Sequence, residues 1–223
     1  MTITWPDILK PNSFSVELRS HAVSGGRTAT GREQRVIGDA GYWSLNYTVP
    51  VRTRAQVLEW RAMVDRLRAG EAIAARICDL QKPDGIKDAW SAVAASAAAL
   101  RATQISITAT HLQLEPGHHF TVGQRLYRIN QVIAHNFGDA LWANLNEGEA
   151  WSDGNVWLDD PYDGSNTYTV KFLPPLRAAV DGGDTLEFDA LVCLAVPDEM
   201  TTGALDLDLG RFSDPTLALI ESI

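Results

Sequence analysis

The chain has 223 residues, 45% of them apolar, with 19 basic side chains against 28 acidic ones and a formal charge of −9. That length suits one large domain or two small ones with a substantial core, and the composition lies well away from the disordered class. The acidic balance repels phosphate backbones and so excludes general nucleic-acid recognition unless a local basic patch supplies it. The densest basic cluster, Arg52, Arg54, Arg61, Arg66 and Arg68, reads as the solvated side of a helix.

The opening MTITWPDILKPNS lacks the charged and apolar regions of a signal peptide, and no window of about 18 apolar residues marks a membrane span. Synthesis in the cytoplasm, without export or membrane insertion, is therefore expected. SGGRTATG, Ser24 to Gly31, bears glycines but opens no nucleotide-binding unit, and reads as a mobile surface loop. From Arg35 to Val51 the chain settles into alternation, with Tyr42, Ser44, Asn46 and Thr48 on one face and Trp43, Leu45, Tyr47 and Val49 on the other. Period two of this kind predicts a half-buried strand, ended by Pro50.

TRAQVLEWRAMVDRLRAG follows. Thr53 caps a helix over 53–69, Gln56 completes a capping box three residues later, and Gly70 supplies a left-handed stop. Val57, Trp60, Val64 and Leu67 form an apolar stripe that should dock on a sheet. EAIAARICDL reads as a short strand, whereas QKPDGIKDAWSAVAASAAALRA, with Pro and Gly and then alanine, fits a loop or a short helix and marks a domain boundary. From Ala102 onward short extended runs dominate: TQISITATHLQL, HFTVG, QRLYRINQVIAH, DALWANL, TYTVKFL, DTLEFDALVCLAV and ALDLDL. Turn formers between them suit a small antiparallel barrel or sandwich. Pro174 and Pro175 force the chain out of its sheet, and Asp181-Gly182-Gly183-Asp184 turns it back.

Candidate chemistry is sparse. His118 and His119, with His111 and His135, fit no compact zinc spacing, and adjacent residues of a strand point to opposite faces. Cys78 and Cys193 sit far apart in strand-like contexts and are expected to be buried thiols, not a disulfide. No serine elbow, P-loop or zinc-protease motif occurs, so no enzyme, metal or cofactor is expected. WSDGNVWLDDPYDGSNTY lacks the ordered oxygen ligands of a calcium loop. Its aromatics, with Trp142 just before, are spaced among carboxylates and amides. Trp142, Trp151, Trp157 and Tyr162 are thus candidate carbohydrate contacts within 142–168. Arg177 is a candidate subunit contact.

One further signal is the order of motifs: GGRTATGREQRV, then GYWSLNYTVPVRTRAQVLEWRAMVDRLRAGEAIAARI, LEPGHHFTVGQRLYRINQV, VKFLPPLRAAVDGGDTLEFDALVCLAV and LDLDLGRFSDPTLALIES. Together they resemble tail proteins of long-tailed phages and prophages of proteobacteria, of the distal-tail or baseplate kind. The resemblance touches most of the chain outside 79–102 and 136–167. It implies a mainly β protein: a ring-forming β-sandwich domain with one packed helix, over 1–80 and 171–223, and a small β-barrel or sandwich-like second domain inserted at 81–170. It also implies a virion structural protein of the tail tip, a homo-oligomeric ring, by the same resemblance a hexamer, joining tail tube to baseplate or hub. The alternative is a carbohydrate-binding module that meets a host surface glycan through 142–168.

Overall fold

A computed structural model describes residues 2–19, 22–27, 30–31, 33–37, 41–86, 89–137, 165–207 and 212–222. Among them the protein is mainly β, with thirteen strands and one helix. It divides into two compact units: Met1–Cys78 with Gly123–Leu126 and Ala190–Ile223, and Asp79–Val122 with Tyr127–Asp189. The second unit therefore runs on to Asp189, past the expected return at residue 171, and four residues around 125 belong to the first. The double proline ends a strand, as its chemistry requires, but the strand partners that define a unit lie far off in sequence.

The first unit is built on a six-stranded sheet. Its strands are β1 (Thr2–Thr4), β2 (Ser13–Arg19), β5 (Tyr42–Thr48), β6 (Ala72–Arg76), β12 (Val192–Pro197) and β13 (Thr216–Glu221), in the order β1-β6-β12-β13-β5-β2. β1 runs parallel to β6, and the other neighbours are antiparallel. β5 shows the expected alternation at Trp43, Leu45 and Tyr47, all buried, although Ser44 is buried as well. The strand starts only at Tyr42. Arg35 to Ile37 belong instead to β4 (Glu33–Ile37), which pairs with β3 (Ala22–Arg27) as a two-stranded sheet, so Ser24 to Gly31 is not simply a loop.

Helix α1 (Arg54–Arg68) forms where its caps place it. The Thr53 side chain accepts the Gln56 backbone N–H, Gln56 reciprocates on the Thr53 N–H, and Gly70 takes φ +93°. Trp60, Met63, Val64 and Leu67 are buried and share one apolar cluster with Trp43, Leu45, Ile73, Cys193 and Leu219 from the sheet. Val57 is only half-buried. Each buried tryptophan also finds an acceptor: Trp5 Nε1 donates to the Leu9 carbonyl (2.7 Å), Trp43 Nε1 to Leu126 (2.7 Å) and Trp60 Nε1 to Gly203 (3.0 Å).

The second unit carries a five-stranded sheet of β7 (Ser91–Ala94), β8 (Gln104–Thr110), β9 (His119–Val122), β10 (Arg125–Phe137) and β11 (Ser165–Leu173). Its order is β7-β8-β11-β10-β9, and β10 begins with two residues of the first unit. The alanine-rich stretch, read as loop or helix, contains β7 and bridges Ala98 to Val180. The Asp181–Asp184 turn, with Gly183 at φ +94°, closes through the Asp184 N–H on the Asp181 carbonyl and returns Thr185 to a bridge with Val93. Phe120, Tyr127, Tyr168, Phe172 and Phe188 fill this unit's core.

Two further expectations are corrected. Ala204–Leu207 form no strand, the rest of that expected run lies outside the described residues, and the last strand of the first sheet is Thr216–Glu221, pairing with β5. Cys193 is buried as expected, but Cys78 is exposed, because the chain has already left β6 at Arg76.

Candidate functional site

The candidate site is the pair of open ends of the first unit's sheet. Among the described residues β1 is paired only with β6 and β2 only with β5. The backbone polarity of β2 follows from its neighbours. The Val49 N–H donates to the Pro215 carbonyl, so odd residues of β5 face β13 and even residues face β2. Register then turns the N–H groups of Ser13, Ser15, Glu17 and Arg19 toward β5. Phe14, Val16 and Leu18 are left with theirs directed to the open edge. Their side chains pack half-buried on the core, so this edge is anchored to it and, among the described residues, unpaired. At the other end β1 is short and parallel, with only Ile3 in the core. The two ends thus differ in length, direction and side chains.

The turn Gly123–Leu126 is fastened inside this unit. The Leu194 N–H donates to the Gln124 carbonyl (2.8 Å), Trp43 Nε1 holds Leu126, and Arg125 Nη1 lies 3.8 Å from the buried carboxylate of Glu221. Glu221 also accepts the Trp43 backbone N–H (3.3 Å). Burial, with the Glu221 charge beside it, pushes the Cys193 thiol far above its ordinary range, so it is inert at neutral pH. Burial also drives the Tyr47 phenol upward, and its hydroxyl donates to the Arg76 carbonyl (2.9 Å).

A cavity of about 340 Å³ opens among Thr201, Thr202, Asp206, Ser213, Asp214 and Thr216. Hydroxyls and carboxylates line it beside Gly203, Ala204 and Pro215, and both Asp214 carboxylate oxygens accept from Arg52 Nη2, at 2.7 and 2.8 Å. The Thr201 hydroxyl on the cavity's rim donates to a Glu199 carboxylate oxygen (3.3 Å).

The histidines of the second unit occupy separate settings, and no group of three metal-ligating side chains forms among the described residues. His119 Nδ1 meets Asp79 Oδ2 at 2.6 Å, and Asp79 Oδ1 accepts the Gln81 N–H (2.8 Å). Burial holds the His119 imidazole below its usual pKa, outweighing the pull of Asp79. His135 stacks on Tyr168 with ring centroids 4.2 Å apart, and burial lowers its pKa too, against the upward pull of its side-chain hydrogen bond with Asn166. His118 Nδ1 accepts the Glu115 N–H (3.1 Å).

Of the sequence-derived candidates, Trp142, Trp151, Trp157 and Tyr162 lie outside the described residues. Tyr168, which closes that segment, is a core residue whose hydroxyl donates to the Leu112 carbonyl (3.2 Å). Arg177 is half-buried, and its backbone N–H donates to the Tyr127 hydroxyl (3.2 Å). Sequence reading missed β1 and β2. The alternation of Phe14, Val16 and Leu18 against Ser13, Ser15, Glu17 and Arg19 was the signal for β2.

No protein-family profile matches the chain, and no curated protein sequence matches it either. No described helix is long and apolar enough to cross a membrane.

Proposed function

We propose that the chain is a structural protein of a phage tail tip, built into a homo-oligomeric ring that joins the tail tube to the baseplate or hub. The observation that carries this reading is the pair of unlike open ends, β1 and β2, on one sheet. A closed ring requires heterologous contacts, in which each copy offers two different patches, and strand edges are ready templates for such contacts. The order of sequence motifs supports the same role, which asks for no catalysis and places the protein in the virion.

Light scattering across a concentration series tests the ring: a discrete species near six chain masses is expected. Val16→Pro removes an edge-facing N–H without touching the ladder to β5, so it should leave the circular dichroism spectrum in place and reduce the assembly to monomers. A wild-type protein that stays monomeric at high concentration and binds no neighbouring tail component would falsify the reading.

A second role on the same molecule is carbohydrate binding by Trp142, Trp151, Trp157 and Tyr162. Their segment lies in sequence between β10 and β11, which are paired neighbours in the second unit's sheet. Glycan-array signal lost in Trp151→Ala and Trp157→Ala with folding unchanged is the expected result, and flat titrations against host surface polysaccharide would remove this role.

A further inference from the structure

Independently of the tail reading, the turn before β9 has the parts of an acid-operated latch. Glu115-Pro116-Gly117-His118 is a turn with proline second and glycine third, Gly117 taking φ +105°, and the His118 N–H donates to the Glu115 carbonyl (3.3 Å). Two backbone bonds fasten it to β10: Gly117 N–H to the Ile129 carbonyl (2.7 Å) and Ile129 N–H to the His118 carbonyl (2.9 Å). The side chain of His118 closes the turn from the other side, because its Nδ1 accepts the Glu115 N–H at 3.1 Å. An imidazole nitrogen accepts only while it carries no proton, and the imidazolium ion has donors alone.

We propose that neutral His118 holds the Glu115–His118 turn shut and that protonation releases it, loosening the start of edge strand β9. The groups facing His118 suit such a change. Asp79, Asp84 and Glu115 surround it with negative charge, His119 opposes protonation from the next position, and Arg128 acts on His119 rather than on His118. Asp79 is committed to His119 and to the Gln81 N–H, so Glu115 and Asp84 are the carboxylates that would take the new cation. His119 cannot substitute as the trigger, since protonating it would strengthen its bond to Asp79. Partial burial keeps His118 below the ordinary histidine pKa, which puts release on the acid side of neutrality.

The test follows single amides by solvent-exchange NMR on the full chain at pH 7.5 and pH 5.0, corrected for intrinsic exchange. Protection of the Glu115 amide should fall at least tenfold more than that of Ile107 in β8. His118→Asn places an uncharged oxygen where Nδ1 stood and should keep the amide protected at both pH values. Unchanged Glu115 protection in the wild type overturns the latch. So does an equal fall in His118→Asn, or a fall matched by Ile107, which would mean general acid loosening. If His118→Asn does not fold, the wild-type imidazole ¹⁵N shifts decide: His118 Nδ1 must be unprotonated at pH 7.5 and gain its proton over the pH range in which Glu115 loses protection.

Discussion

Trp60 joins two roles in one side chain, filling the first unit's core and satisfying the Gly203 carbonyl. The roles separate by substitution. Trp60→Phe keeps most of the apolar contact and strands the carbonyl, which should cost about 1–3 kcal/mol, whereas Trp60→Ala adds a cavity and should cost about 3–5 kcal/mol. Urea denaturation midpoints would rank them. In the second unit Gly85 takes φ +91°, and a Cβ there would lie 1.7 Å from the His111 carbonyl oxygen. Gly85→Ala should therefore break the Asp84–Gln113 bridge and fall among severe substitutions, about 3 kcal/mol or more, read as a lower melting temperature. Neither constraint is visible in sequence. PDG announces a turn, but only the fold brings His111 against it.

At the scale of elements, α1 was legible because everything that makes it lies within eighteen residues. Thr53, Gln56 and Gly70 set its ends, and the recurrence of Trp60, Val64 and Leu67 sets its buried face. Thr53→Ala should cost about 1 kcal/mol in thermal denaturation, with the fold retained. The strands were less legible where pairing outweighed propensity. Ser91–Ala94 is short and flanked by helix-favouring alanines, yet register against Thr110 to Ile107 makes it an edge strand. β3 and β4 hide in a polar, glycine-bearing run because a hairpin is specified by what faces what across its turn.

For the whole molecule, acid should weaken the two units unequally. His118, His119 and His135 all belong to the second unit, and burial depresses the pKa of each. On acidification the unfolded chain takes up these protons near pH 6.5, while the folded unit resists until lower pH. Their contribution to stability is thus fully present above about pH 6.5 and is lost as the pH falls from there through the lower folded-state values. Melting followed by second-unit amides should move to lower temperature between pH 7.5 and 5.5, with a smaller move for first-unit amides, and an equal response of both units would contradict the assignment. The sequence by itself determined a mainly β chain, one capped helix, the exit at Pro174 and the turn at Asp181–Asp184, because these rest on periodicity and on backbone chemistry confined to a few neighbours. Only the tertiary structure decided that residues 171–189 stay with the second unit, that Gly123–Leu126 joins the first, and that β1 and β2 end one sheet. Strand partnership is settled by side chains and backbone groups that meet across long stretches of chain, and no local pattern encodes them.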